Sequence, residues 1–479
     1  MTGPGQSPGY GDEWQQQGGW QYGQPPQQGG WQYGQPPQQG GWQYGQPPQP
    51  GGYQGMYQQQ GQWGYSPHAA PPQEPRNRGK RWLVVAAVVA VVALVGGGGT
   101  WFAVSQLQSS GADSPTAAAE MLVSSVEDGD LVGALETLPP AEAELVVDTV
   151  KNYTSELGRL GLFESGTDAD RLGDSVKVEL SNLSFDESAQ EQINDHLTIV
   201  PLTEGKLTFT AEPQDLPFTD EVVDAIADGQ SQEEAETATV DAAELRRDGT
   251  PIRVATVKVD GGWHPSMMYT IADYALRSSG QSWPEEPIPA RGADSPEAAL
   301  KEFVRASVSQ DVTRAVELLA PDTMGAYHDV GRVLVDQVST TSAPNVKIVD
   351  IGTETSDASA GTRVEIVSLK LRAPSGIAFT IRRDGACYHV EARNDEQRVC
   401  ADEFLRQSGL LEDMGVSQAA MNVLRDVFGG VFERGVGAII TEVDGEYYFA
   451  PVRTVNDTLL SLSETLDPAD IKELIERTG

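Results

Sequence analysis

The sequence predicts an α+β protein with a disordered N-terminal tail, one transmembrane helix and two tandem domains built from helices and antiparallel strands. Three observations carry this. An 11-residue unit, QGGWQYGQPPQ, recurs near the N-terminus with Trp20, Trp31 and Trp42 in phase. Four cations, Arg76, Arg78, Lys80 and Arg81, precede an uncharged run that opens WLVVAAVVAVVALV. Two 30-residue segments, Gly111–Pro140 and Gly292–Pro321, share 13 identical positions at a constant offset of 181 without a gap.

The tail, residues 1–75, is dominated by Gly, Gln and Pro and has almost no aliphatic side chains. Such a segment cannot bury enough apolar surface to offset its ordering entropy, so disorder is expected. The Pro-Pro pairs at 25–26, 36–37 and 47–48 favour local polyproline II. Regularly spaced Trp and Tyr suit weak multivalent contacts with cytoplasmic partners; a passive linker is the alternative.

Residues 76–104 are the expected basic flank and membrane span. Trp82–Val104 is 23 residues without a charge, roughly 34 Å as a helix against a bilayer core of about 30 Å. Gly96–Gly99 weakens helix propensity, but lipid forbids the unpaired backbone that unwinding would expose. About 80 residues precede the run, which favours an uncleaved signal anchor over a cleaved signal ending near Ala103-Val104-Ser105 or a buried soluble helix. With Arg76, Arg78, Lys80 and Arg81 on its N-terminal side, positive-inside bias puts the tail in the cytoplasm and the rest outside the plasma membrane.

The whole chain carries a net charge of −37, and 67 acids against 29 bases lie beyond this flank. That balance excludes nucleic acid as a partner, which would need clustered Lys and Arg. Cys387 and Cys400, the two cysteines, are 13 residues apart and read as one structural disulfide rather than a redox or metal motif.

The duplication resumes near the end of each copy: PIRVATVKVDGGW (251–263) lies 184 positions before RGVGAIITEVDGEY, and TIADYAL (270–276) lies 184 before TVNDTLL. The domains expected are therefore 111–283 and 292–479, joined by a short Pro-rich linker at 284–291. Each opens on a helix capped by Ser114 or Ser295, with Pro115 or Pro296 at its first position. A short second helix and a third near 143–160 or 324–338 follow, then strands by alternation. Asp260-Gly261 and Asp444-Gly445 mark hairpins leading into a last helix. Cys387 falls on a strand and Cys400 at a helix start, so the bond is expected to clip helix to sheet.

The opening GADSPEAALKEF…DVTRAVELLAPDT resembles the start of nuclear-transport-factor-2-like domains of actinobacterial envelope proteins. The ending VDGEYYFAPVRTVNDTLLSL is similar to segments of actinobacterial single-pass proteins with Gly/Pro/Gln-rich tails. The resemblance implies two cone-like domains, with helices folded over curved antiparallel sheets.

No catalytic, cofactor-binding or metal residues are assigned. His68, His196, His264, His328 and His389 are scattered, and the local couples His328-Asp329 and His389/Glu391 lack a nucleophile. Phosphate-loop, S-x-x-K, G-x-S-x-G and C-x-x-C motifs are absent. Glu127-Asp128-Gly129-Asp130 reads as a helix-connecting turn, with weak Ca²⁺ binding as the alternative. Asp273 and Asp457 are equivalent in the two copies and suggest a structural hydrogen bond to an aromatic; Trp263, Tyr269 and Tyr274 read as core, with a ligand box as the alternative. The function expected is that of a single-pass cell-envelope protein whose tandem domains bind a protein or envelope ligand. An isomerase- or hydrolase-like enzyme in one cone and a structural spacer are the alternatives.

Overall fold

The structure is a computed structural model that describes residues 111–478, except 128–129, 169–170, 173–175, 212–215, 230–235, 339–345, 359–360, 394 and 408–416. The repeat tail, the flank residues Arg76, Arg78, Lys80 and Arg81 and the apolar run up to Val104 lie outside the described residues. Among the described residues no helix is long and apolar enough to cross a membrane. The expected single-pass membrane architecture, with its signal anchor and plasma-membrane placement, is therefore not supported by the described residues. What the chain shows is a mixed α/β fold with curved antiparallel sheets.

The first copy begins with helices α1 (Pro115–Glu127), α2 (Leu131–Glu136) and α3 (Pro140–Arg159). Ser114 caps α1 by accepting from the Ala117 N–H at 3.2 Å, and Asp130 caps α2 by accepting from Gly133 N–H at 2.8 Å. Asp130 therefore does a helix-connecting job; Asp128 and Gly129 of the acidic run lie outside the described residues. Strands β1 (Val176–Phe185), β2 (Glu191–Gln192) and β3 (Leu197–Ala211) follow, then α4 (Asp220–Gly229), β4 (Glu236–Asp241) and α5 (Ala242–Arg247). Strands β5 (Ile252–Val259) and β6 (Gly262–Pro265) and helix α6 (Met267–Ser278) close the copy. The sheet is antiparallel, in the order β1-β3-β5-β6, with β2 and β4 also paired to the long β3.

The second copy repeats the frame with α7 (Pro296–Ser309), α8 (Val312–Glu317) and α9 (Pro321–Val338). Its sheet comprises β7 (Lys347–Ala358), β8 (Gly361–Arg372), β9 (Ala378–Asp384), β10 (Cys387–Ala392) and β11 (Asp395–Cys400). After α10 (Ala401–Gln407) and α11 (Gln418–Arg434) come β12 (Gly437–Val443), β13 (Glu446–Phe449), α12 (Pro451–Ser463) and α13 (Pro468–Thr478). The strand order is β11-β10-β9-β8-β12-β13, with β7 also on β8.

The two sequence blocks that match between copies meet in space. Ala112 exchanges two backbone hydrogen bonds with Trp263, each 2.8 Å; its equivalent Ala293 does the same with Tyr447 at 2.9 and 3.0 Å. A Cβ at Gly111 would lie 2.7 Å from the Gly262 Cα, and one at Gly292 would lie 2.6 Å from the Glu446 Cβ, so this crossing demands glycine. Asp260-Gly261 and Asp444-Gly445 all have positive φ, as two-residue primed turns require. At the start of the last helix, Thr270 accepts from the Ala255 N–H at 3.0 Å and Thr454 from the Ile439 N–H at 2.9 Å, tying helix to sheet in both copies.

Asp273, buried on α6, is held by Arg253 of β5 at 2.6 and 3.2 Å and by the Trp283 indole N–H at 3.0 Å. Its equivalent Asp457 pairs with Arg363 of β8 and with Arg434, at 2.8 and 2.7 Å. The position matching Arg253 is Gly437, and a Cβ there would lie 3.0 Å from the Arg363 guanidinium carbon. The same ion pair is thus rebuilt from a neighbouring strand, and the glycine leaves room for it.

Within this one compact unit the copies pack reciprocally: α3 of the first lies on α12 of the second, while α9 of the second lies on α6 of the first. Position 144/325 and, one turn on, position 148/329 of each third helix face the third residue of the other copy's last helix. Glu144 pairs with Arg453 at 3.6 Å, and Asp148 also feels the Arg453 charge. On the opposite side Tyr269 lies over Gly325, where a Cβ would be 2.9 Å from its hydroxyl, and bonds to Asp329.

Removing the Asp273 carboxylate leaves the buried Arg253 guanidinium to the half-exposed Glu191 carboxylate, 2.7 Å away, and breaking a buried pair costs about 3–5 kcal/mol. Asp273→Ala is accordingly expected to lower the unfolding free energy by about 3 kcal/mol or more in urea denaturation, and a loss under about 1 kcal/mol would show that the pair is dispensable.

Candidate ligand-binding groove

The β10–β11 hairpin pairs Cys387 directly with Cys400, and the two form a disulfide. Cys400 is the last residue of β11, one residue before α10. The bond therefore closes the open end of a hairpin, where the sequence suggested a helix clipped to the sheet. The physical reason is the register: six residues on each strand pair without a shift, which brings the two cysteines face to face.

Beside this bond the second copy opens a groove of about 480 Å³. The hairpin end supplies Ala386, Cys387 and Cys400; α10 supplies Ala401 and Asp402; α11 supplies Arg425, Asp426, Gly429, Gly430 and Glu433; Thr465 closes one end. Helix α11 starts on Ser417, which accepts from Ala420 N–H at 3.2 Å. An aromatic set holds α10 and α11 to the hairpin: Phe432 meets Tyr388 edge-on at 5.6 Å, and Phe404 sits 6.0 Å from both Phe428 and Phe432.

Two adjacent glycines inside a helix each cost about 1 kcal/mol relative to alanine, so their use needs a reason. Gly430 lets Thr465 approach, since a Cβ would lie 2.7 Å from the threonine methyl. Around Gly429 a Cβ would meet nothing within 4 Å, so this residue leaves the groove open. The charged lining is three carboxylates, Asp402, Asp426 and Glu433, against the guanidinium of Arg425, which bonds to Asn422 at 3.1 Å. Burial, helped by the neighbouring Asp470 carboxylate, holds the Asp426 carboxyl above its ordinary range. The lining hydroxyl, Thr465, is engaged with the Leu462 and Asp426 carbonyls at 2.7 and 3.2 Å. The groove thus offers shape and negative charge.

The histidines serve elsewhere. His264 bonds to the Thr137 carbonyl at 3.0 Å; His328 sits between the Ile288 and Leu319 carbonyl oxygens, 3.0 Å from each. The couple His328-Asp329 diverges, because Asp329 turns to His196 at 2.8 Å. His389 reaches Glu396 across the hairpin at 2.8 Å, whereas Glu391 pairs with Arg382. His68 lies outside the described residues. Tyr269 is buried and stacks on Trp283, while Tyr274 accepts from the Arg253 N–H at 3.0 Å and Trp263 is half-buried. Among the described residues no group of three or more His, Cys, Asp or Glu side chains is placed to hold a metal ion.

Sequence reasoning passed over Glu142, which is buried on α3 and accepts from the Ser266 hydroxyl and from the Met267 N–H at 2.9 Å, capping α6 from outside. Burial pushes its carboxyl above the ordinary range despite these bonds. The signal lay in the alignment of the copies: Thr323 and Ala450 stand at the equivalent positions, and Pro451 replaces the donor Met267, so the second copy has no N–H there to cap.

Comparison with known proteins finds no match among protein-family models, curated proteins or solved structures.

A loop of this size makes the disulfide worth roughly 3 kcal/mol on the loop-entropy account. Cys400→Ala is expected to lower the stability of the chain by about that amount in urea denaturation, and a stability equal to that of the parent chain would show that hydrogen bonding alone holds the hairpin.

Proposed function

We propose that the chain is a binding protein and that the groove beside the Cys387–Cys400 bond receives a basic segment of a protein partner. The observation that carries this reading is the open groove of about 480 Å³ with Asp402, Asp426 and Glu433 around a floor left clear by Gly429. Lysine or arginine side chains laid along it would place their stems on the apolar floor and their charges at the carboxylates. The surrounding surface, with a net charge of −37 over the chain, draws such a segment in from a distance.

The test is calorimetric titration of the full chain with an alternating Lys-Ala peptide. Micromolar binding that weakens as salt rises is expected. Gly429→Leu fills the groove without removing a charge, and Glu433→Gln removes one; each should weaken binding about tenfold or more. Binding that survives Gly429→Leu unchanged would show attraction to the acidic surface at large and would sink the groove.

A further inference from the structure

The two halves of the reciprocal interface are equivalent in position and different in chemistry. Where the second copy supplies Arg453, the contacts are Glu144 and Asp148, and the cation keeps its charge at any physiological pH. Where the first copy supplies Tyr269, the buried acceptor is Asp329 of α9. It takes His196 Nε2 at 2.8 Å and Asn194 Nδ2 at 3.3 Å on one carboxylate oxygen, and Tyr269 as well. His196 stands just before β3, and its side chain remains 42% exposed, so protons reach it.

The same helix holds the linker. The residue before Asp329 is His328, whose carbonyl accepts from the Ile288 N–H at 2.9 Å and whose Nδ1 lies 3.0 Å from the Ile288 oxygen. Ile288 is 1% exposed, in a linker of only eight residues (284–291), and a Cβ on Gly331 would meet it at 2.7 Å. Asp329 and the linker latch therefore sit on one turn of α9.

We propose that the joint between the two copies is a pH-dependent hinge, closed on mild acidification by the His196–Asp329 contact and loosened when His196 loses its charge. The groups facing this contact are Asp195 beside the histidine, Tyr269 from α6, and Glu142 of α3 behind that tyrosine. His328 next to Asp329 faces two carbonyl oxygens. Asp195, Glu142 and Asp329 are carboxyl groups, so of the groups named here only the two histidines can carry a positive charge. The direction follows from linkage. The hydrogen bond to Asp329 outweighs burial and raises the His196 pKa above its ordinary 6.5. The stabilisation is fully present below that ordinary value and is lost as pH rises through the raised one. Arg453 on the other half has no such transition, so the joint opens from one side.

Hydrogen exchange of the full chain, corrected for intrinsic rates, tests this at the Ile288 amide. Protection in 284–291 is expected to fall severalfold between about pH 6 and about pH 8.5, while the β8–β12 pairing keeps its protection. His196→Gln should remove the pH dependence without unfolding the chain, since the site is half exposed. His196→Arg, with a fixed charge, should keep the linker protected at the higher pH. A pH dependence that persists in His196→Gln, or a loss of protection spread evenly over both sheets, would overturn the hinge.

Discussion

Each copy is closed by the crossing of its first residues over its last hairpin. Two backbone hydrogen bonds, Ala112 with Trp263 or Ala293 with Tyr447, join points some 150 residues apart in sequence. The close approach fixes Gly111 and Gly292, and the capping serine that follows starts the first helix in register with the sheet. Everything between these ends can vary in length, and does. The first copy fills the interval with α4, β4 and α5, the second with a longer hairpin and two helices that make the groove. Fold maintenance and the proposed binding groove thereby fall in different parts of the chain.

The ion pair on the last helix shows how such a frame tolerates substitution. A buried carboxylate needs a charged, hydrogen-bonding partner, and that need is not tied to one backbone position. The first copy answers with Arg253 on β5, the second with Arg363 on β8, next to a glycine that vacates the space. Sequence comparison of the two copies sees Asp273 and Asp457 match and their partners fail to match, which hides a shared interaction.

The frame was legible in the sequence where local rules decide it. Ser-Pro caps, Asp-Gly turns and alternation located the opening helices, the closing hairpins and most strands. The elements peculiar to one copy, such as α11 and α13, were not located: no second copy supports them, although the 17 residues of α11 carry Met421, Leu424, Phe428 and Val431 at helical spacing. The disulfide pair was read correctly, but its setting was not, since strand register decides whether Cys400 ends a strand or starts a helix. The groove depends on the unfilled space over Gly429, which one-dimensional patterning cannot show. The membrane architecture expected from composition finds no spanning helix among the described residues.

The glycine at position 325 has one more consequence. Tyr269 needs that vacancy, and the first copy's own residue there is Glu144. Two first copies brought together in the same arrangement would drive a phenol into a carboxylate on both sides. The touching faces of the two copies are thus a lock and a key, each of which fits the other and not itself. The first half, expressed by itself, is not expected to pair with its own kind through this face.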